Sequence, residues 1–172
     1  MARLALSTIG VKFGVQIEST SGVKPSAFKM LPNCKNIGGS SNEADTIDVT
    51  PLEADSRQYV AGLGNSGGSK EITFGLDPQA AIIDEWQAIR TAAQAARANN
   101  LACWGEVWFP NVPKAYYFTF EPGLVPLSDV SVATAAELAI SNVVNEEKGW
   151  LTAVEPLEST VINGVTGATG AT

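Results

Sequence analysis

The chain has 172 residues, enough for one domain with a substantial core, and 45% of them are apolar against 17% charged. It contains no histidine, which removes His-dependent triads and His-ligated zinc and argues against a hydrolase or metalloenzyme. A formal charge of −7 argues against a protein that grips nucleic-acid phosphates.

The charge is unevenly placed. Residues 1–40 carry Arg3, Lys12, Lys24, Lys29 and Lys35 against Glu18, a net of +4, and the remainder carries −11. Such a basic segment can dock on an acidic surface, including that of another copy, or be ordinary solvated surface. No stretch reads as a signal peptide or reaches the length of a membrane span. Cys34 and Cys103 stand in different settings and read as two buried thiols rather than a disulfide.

In chain order, residues 1–14 lack a pattern and read as an N-terminal arm, and Val15–Ile17 as a short strand. Phe28–Leu31 is a second extended piece. Asp45–Thr50 alternates Ile47 and Val49 against acids, as a half-buried strand does. Residues 51–70 form a long irregular stretch, Gly/Ser-rich at its end, of the kind that is functional or disordered. Glu71–Leu76 is a strand. Asp77 then reads as a helix N-cap and Pro78 as the first helical residue, which predicts a helix over about 78–98. Its apolar stripe is Ile82, Trp86, Ile89, Ala93 and Ala96, with Ile82, Trp86 and Ile89 as its core contacts, and Asn99–Asn100 is its stop.

Leu101–Phe109 and Ala115–Phe120 read as an antiparallel hairpin. Val130, Val132, Thr134, Ala136, Leu138 and Ile140 alternate as one long strand, although Thr134–Ile140 also fits a helical reading. Residues 155–172 are low in bulk and rich in Gly and Thr, and read as a flexible tail. Strands, one helix and more strands predict an α+β, mainly β fold. The expected form is an antiparallel sandwich or open barrel across residues 15–154 with the helix packed on the sheet.

Three local patterns invite chemistry. Gly62–Gly67 matches G-x-G-x-x-G, but a strand rather than a helix follows, so no helix dipole faces the glycines and no cofactor is expected. Glu43, Asp45, Asp48, Glu53 and Asp55 form an acidic run. It lacks the spacing and central Gly of a Ca²⁺ loop, and a carboxylate pair for sugar hydrolysis would need a cleft that the sequence cannot place. Trp86, Trp104, Trp108 and Trp150, with Tyr116, Tyr117 and Phe118, could line a sugar-binding face, although rings in strands and on a helix stripe more often form core. No catalytic, cofactor or metal residue is assigned.

The order of elements resembles that of the major tail proteins of phages with long non-contractile tails, from residue 5 to about 152. The residues that carry the resemblance are an N-terminal Gly10–Val11, the acidic strand before Leu52–Arg57 and Tyr59–Leu63, and Glu71–Leu76 before an Asp-Pro-opened helix with Trp86. Trp108–Pro110 in the hairpin and Lys148–Trp150 after the long strand complete it. At the end, a short Thr/Gly segment stands where many relatives carry an immunoglobulin-like domain.

The resemblance implies a structural virion protein, not an enzyme. It implies stacked, hexameric rings whose sheets line a channel, with the helix on the outer side. It further implies assembly in the host cytoplasm alongside tape measure, tail terminator and distal tail proteins, and DNA that passes through without specific binding. A polyanion conduit should repel its cargo, so Asp45, Asp48, Glu71 and Glu121 are candidate channel-facing acids. Arg3, Lys12, Glu53, Asp55, Arg57 and Tyr59 are candidate contacts between subunits or rings. The alternatives are a terminator or head–tail joining ring protein, distinguished by single rings instead of tubes, and a carbohydrate-binding or adhesin module, distinguished by saturable glycan binding.

Overall fold

The computed structural model describes residues 9–40, 44–64, 68–78 and 81–165. Among them lie strands β1 (Lys12–Ile17), β2 (Lys29–Leu31), β3 (Cys34–Ile37), β4 (Ala44–Asp48), β5 (Tyr59–Gly64) and β6 (Gly68–Gly75), then helix α1 (Ile82–Arg97). Strands β7 (Cys103–Trp108), β8 (Lys114–Glu121) and β9 (Glu137–Thr152) follow. Seven strands form one antiparallel sheet in the order β2-β1-β7-β8-β9-β6-β3, while β4 and β5 pair with each other in a separate ribbon.

The sheet curls into an open barrel. Phe13 on β1 and Phe74 on β6 belong to strands with three others between them, yet their ring centroids lie 6.2 Å apart. One face of each strand points into the curl, as a period of two requires: Phe13, Val15 and Ile17, Ile72 and Phe74, Phe118 and Phe120, and Leu138, Ile140 and Val144 are all buried. The 16-residue β9 joins the two halves. Its first half pairs with β6 and its second with β8, with register shifts at Tyr117/Phe118 and Thr119/Phe120. Such bulges increase local twist and help a sheet close.

Helix α1 plugs one end of the curl. Ile82, Trp86, Ile89, Ala92 and Ala96 are its buried residues. The Trp86 ring stands 5.6 Å from Phe74 and 6.2 Å from Phe120, and its Nε1–H donates to the Gly123 carbonyl at 3.0 Å. Gly123 is fixed in turn, since its amide donates to the Asn142 side chain at 2.8 Å and a Cβ there would meet the Ser141 carbonyl at 2.0 Å.

The helix starts later than the Asp77–Pro78 pattern predicts. Ala81 is the N-cap without a side-chain cap bond, and the Asp77 carboxylate instead accepts from Asn33 Nδ2 in the β2–β3 turn at 3.5 Å. Asp84 and Glu85 in the first turn supply the negative charge that the helix dipole favours there. At the other end Asn100 adopts φ 56°, with Leu101 N–H bonded to Ala96 O and Asn100 N–H to Arg97 O, a Schellman stop.

Four other expectations are corrected. Lys12 to Gly14 belong to an inner strand, not an arm, because Phe13 is a core ring. Among its described residues the 51–70 stretch is irregular only over 51–58, and beyond that it contributes β5 and the start of β6. The long alternating strand runs over 137–152 rather than 130–140. Val130 and Val132 are exposed in an irregular connection, and Ala133 has φ 65°, which breaks extended backbone. Residues 155–165 form a strap packed on the sheet: Ile162 is buried, and Leu157 bridges to Lys29 on the outer edge of β2. Residues 166–172 of the expected tail lie outside the described residues. β3 was not anticipated at all. Both cysteines are free thiols. Cys103 is buried, and Cys34 is pushed up to about 12 by burial, partly offset by a backbone bond at Asn36.

Truncation of Trp86 should be the most damaging single change in this layer. Trp86→Ala is expected to lower the unfolding free energy by about 3–5 kcal/mol. Trp86→Phe, which keeps a ring but leaves the Gly123 carbonyl without its donor, is expected to lose about 1–3 kcal/mol. Urea denaturation followed by far-UV circular dichroism measures both.

Candidate subunit-assembly surface

The acidic run and the residues after it fold into the β4–β5 hairpin. All five residues of β4 are exposed, as are Tyr59, Val60, Ala61 and Leu63 on β5. Cross-strand pairs Ile47↔Val60 and Asp48↔Tyr59 hold the ribbon, and its turn closes through Thr50. The Thr50 amide and hydroxyl donate to the Asp48 carboxylate, and its hydroxyl accepts from Gln58 N–H at 2.8 Å. The two Thr50 bonds hold Asp48 below the usual carboxylate range. Arg57 Nη1 donates to the Tyr59 hydroxyl at 3.5 Å.

A soluble monomer does not expose a ribbon this apolar without reason. Ile47, Val49, Leu52, Tyr59, Val60 and Leu63 are all open, Leu63 at 91% of its full area. An isolated two-stranded hairpin is marginal in water, and contiguous exposed apolar surface marks an interaction site.

The root of the hairpin is anchored firmly. Ser40 precedes it and Lys70 follows it, and the Lys70 ammonium donates to the Ser40 hydroxyl. Lys70 is nearly buried, 3.4 Å from Glu147 Oε1 and 4.2 Å above the Phe118 ring. Tyr116 O–H donates to the other Glu147 oxygen at 2.8 Å. Burial lowers the Lys70 pKa and Glu147 opposes that shift. Beside this cluster lies an open cleft of about 290 Å³ walled by Ile37, Val107, Phe109, Tyr116 and Trp150. The hairpin and the cleft therefore share one end of the barrel. The irregular 122–136 connection, with Leu124, Leu127, Val130 and Val132 exposed, lies at the end where β8 finishes and β9 begins.

The predicted site residues do not form one cluster. Asp45, Asp48, Glu53, Asp55, Arg57 and Tyr59 lie together on the hairpin. Glu71 stands exposed on β6, opposite Ser141 and on the sheet face away from the core. Glu121 is set apart, paired with Arg97 at the end of α1 at 3.2 Å. Lys12 on β1 pairs with Glu155 of the strap at 2.7 Å and stands over the Trp108 ring. Arg3, Glu43 and residues 65–67 of the glycine pattern lie outside the described residues.

Two buried carboxylates are absent from the sequence-based set. Glu18 accepts from Trp104 Nε1 at 2.7 Å and from the Gly22 and Ala102 amides, each at 3.1 Å. Glu106 accepts from the Tyr117 hydroxyl at 2.8 Å and the Val154 amide at 3.2 Å. Burial pushes Glu106 up to about 7, opposed by those two bonds and by the charge of Lys24. Glu106 is on β7 and Glu18 directly follows β1, and both lie beside the second aromatic cluster of Phe28, Trp104 and Tyr117.

No family model matches the chain, and no curated protein matches it in sequence. In three dimensions it is similar to the tube-terminating cap of the anti-feeding prophage, at TM-score 0.57 and 14% identity over 89% of this chain and 95% of that one. It is similar to the SPP1 tail tube at TM-score 0.55 and 20% identity, over 88% and 81% of the two chains. The tail of an empty GTA particle matches at TM-score 0.52 and 16% identity over 87% and 100%. The chain thus has the fold found in tail-tube and tube-terminator proteins, mainly β with one helix on an antiparallel sheet.

The Lys70 anchor is open to direct test. Lys70→Ala leaves the Glu147 carboxylate buried without its cation and should lower stability by about 3–5 kcal/mol. Substitution of Leu63 by Ser should change stability by no more than about 0.5 kcal/mol, because Leu63 is almost fully exposed, while Ile47→Ser and Val60→Ser should each cost up to about 1 kcal/mol through loss of their cross-strand pair. Thermal and chemical unfolding of the variants measure both.

Proposed function

We propose that the chain is a structural subunit of a phage-type tail tube, assembling into stacked rings of six around a channel for DNA. The observation that carries this is the hairpin, whose apolar residues Ile47, Leu52, Tyr59, Val60 and Leu63 stay exposed among the described residues. The fold likeness to an SPP1 tail tube supports it, as does the sixfold symmetry of the GTA tail and of the anti-feeding prophage baseplate. In this reading the hairpin, with Glu53, Asp55, Arg57 and Tyr59, reaches a neighbouring copy. The exposed 122–136 connection offers apolar surface at the opposite end for stacking. Partner proteins would be the tape measure, terminator and distal tail components of the same virion.

Glu71 is the acid best suited to the channel wall, since it is exposed on a sheet face that neither helix nor strap is seen to cover. A wall carboxylate repels phosphates and keeps water between cargo and protein. Asp45 and Asp48 would add to the wall if the hairpin borders the channel. Glu121 is the weakest of the four, because Arg97 already neutralises it.

A terminator role is the second reading, because the anti-feeding prophage cap and the PVC sheath/tube terminator match at TM-score 0.57. Negative-stain microscopy separates the two: long tubes support the tube subunit, single closed rings the terminator, and monomers at high concentration overturn both. Replacement of residues 44–64 by a short turn should abolish assembly while the seven-stranded sheet still folds. Glu71→Lys should slow DNA release from tubes that form normally. An assembly defect in Glu71→Lys would place that residue in a subunit contact instead.

A further inference from the structure

The strap after β9 is held across the outer face of the sheet at two places. Its far end is fixed to β1: the Asn163 amide donates to Gln16 Oε1 and its side chain to the Ile17 carbonyl, each at 2.8 Å, and Ile162 is buried. Its near end, Thr152–Leu157, crosses β1 so closely that a Cβ on Gly14 would meet Pro156 Cβ at 2.8 Å. Leu157 N–H then donates to Phe28 O and Leu157 O accepts from Met30 N–H, each at 3.0 Å, so the strap occupies the outer edge of β2.

What fastens the near end is a buried polar knot. The Tyr117 hydroxyl lies 2.8 Å from Glu106 Oε1 and 2.9 Å from the Thr152 carbonyl. It has one proton to give and two acceptors to serve. Lys24 Nζ donates to the same Thr152 carbonyl at 2.7 Å and stands 4.6 Å from the Tyr117 ring centre. The Val154 amide points at the Glu106 oxygen and the Tyr117 hydroxyl, 3.2 Å from each. Glu106 Oε2 is buried with no partner. An ionised carboxylate with a buried unpaired oxygen is costly, and a neutral one is much less so.

We propose that Glu106 is a proton-gated latch for the Thr152–Leu157 segment, clamping it over β1 and along β2 when neutral and loosening it when ionised. The titratable groups that face Glu106 are Tyr117 from β8 and Lys24 from the β1–β2 connection, and the strap contributes the Val154 amide. The other charged groups on this flank are already engaged: Glu18 with Trp104, Lys148 over the Trp104 ring, and Lys12 with Glu155.

The direction of the effect follows from the shift. Glu106 is raised from the ordinary carboxylate value of 4.5 to about 7 by burial in the closed state. A raised carboxyl favours the closed form fully below the open-state value, and that preference is lost as pH rises towards the closed-state value. The opening equilibrium therefore increases about tenfold per pH unit between those limits and levels off above the upper one. The far anchor at Asn163 holds no titratable side chain, so opening stays local.

Hydrogen exchange of the Val154, Leu157 and Met30 amides between pH 5 and 8, each rate divided by its unstructured-peptide rate, tests the latch. The wild-type protein should lose protection at these amides as pH rises to 7, while the Asn163 amide keeps its protection. Glu106→Gln, neutral and of the same shape, should hold protection at the low-pH level throughout. The same pH profile in both proteins, or parallel loss at Asn163, overturns the proposal. Should Glu106→Gln fail to fold, a carbon-13 titration of Glu106 in the wild type replaces it. A midpoint in the ordinary carboxylate range then overturns the latch, and a midpoint near neutrality that coincides with Val154 opening supports it.

Discussion

The contact between Phe13 and Phe74 is the constraint on which the rest depends. A seven-stranded antiparallel sheet with one apolar face must bury that face, and the separate two-stranded β4–β5 ribbon, whose β4 is exposed throughout, does not cover it. Here the face is buried by curling, so that strands far apart in order share one aromatic core and α1 needs to cover only the open end. The long β9 and its bulges follow from that, since one strand must serve both halves of the curl. The helix is consequently a plug whose depth is set by Trp86 reaching Gly123 and, through it, Asn142.

Curling also divides the polar groups into two populations. On the inner face Lys70, Glu147 and Tyr116 satisfy one another where the barrel opens, next to the root of the hairpin. On the outer face Glu18 and Glu106 each organise a piece of irregular chain: Glu18 ties the start of the β1–β2 connection to Ala102, and Glu106 ties the strap to β7. Carboxylates are used here as acceptors for backbone amides that no strand partner reaches.

Much of this was legible from pattern alone. The amphipathic stripe of α1, the β7–β8 hairpin and the β6 strand rest on local periodicity, and the structure keeps them with shifted ends. The helix start failed because Asp77 found a tertiary partner, Asn33, that local spacing cannot reveal. β3 was hidden because Lys35 and Asn36 leave too little apolar signal in a four-residue edge strand. Residues 130–136 alternate convincingly yet stay irregular, since Ala133 adopts φ 65° and only Ala136, bonded to Leu76, continues the ladder towards β6. Glu106 could have been found: it occupies the same strand face as Trp104 and Trp108, which places a carboxylate between two rings. The strap could not, because its contacts with β1 span some 145 positions of sequence.

The hairpin at the barrel mouth has a kinetic consequence. A two-stranded ribbon with little cover of its own is only marginally stable in water, and only its paired form presents Ile47, Val60 and Leu63 as one surface. Affinity for any binding partner is then reduced by the fraction of molecules in the competent form. A partner that already holds one such ribbon in place removes that handicap for the next molecule to arrive. Under the proposed assembly, free subunits, carrying a net charge of −7, stay dispersed until a template is offered, and growth proceeds from that template rather than from chance encounters.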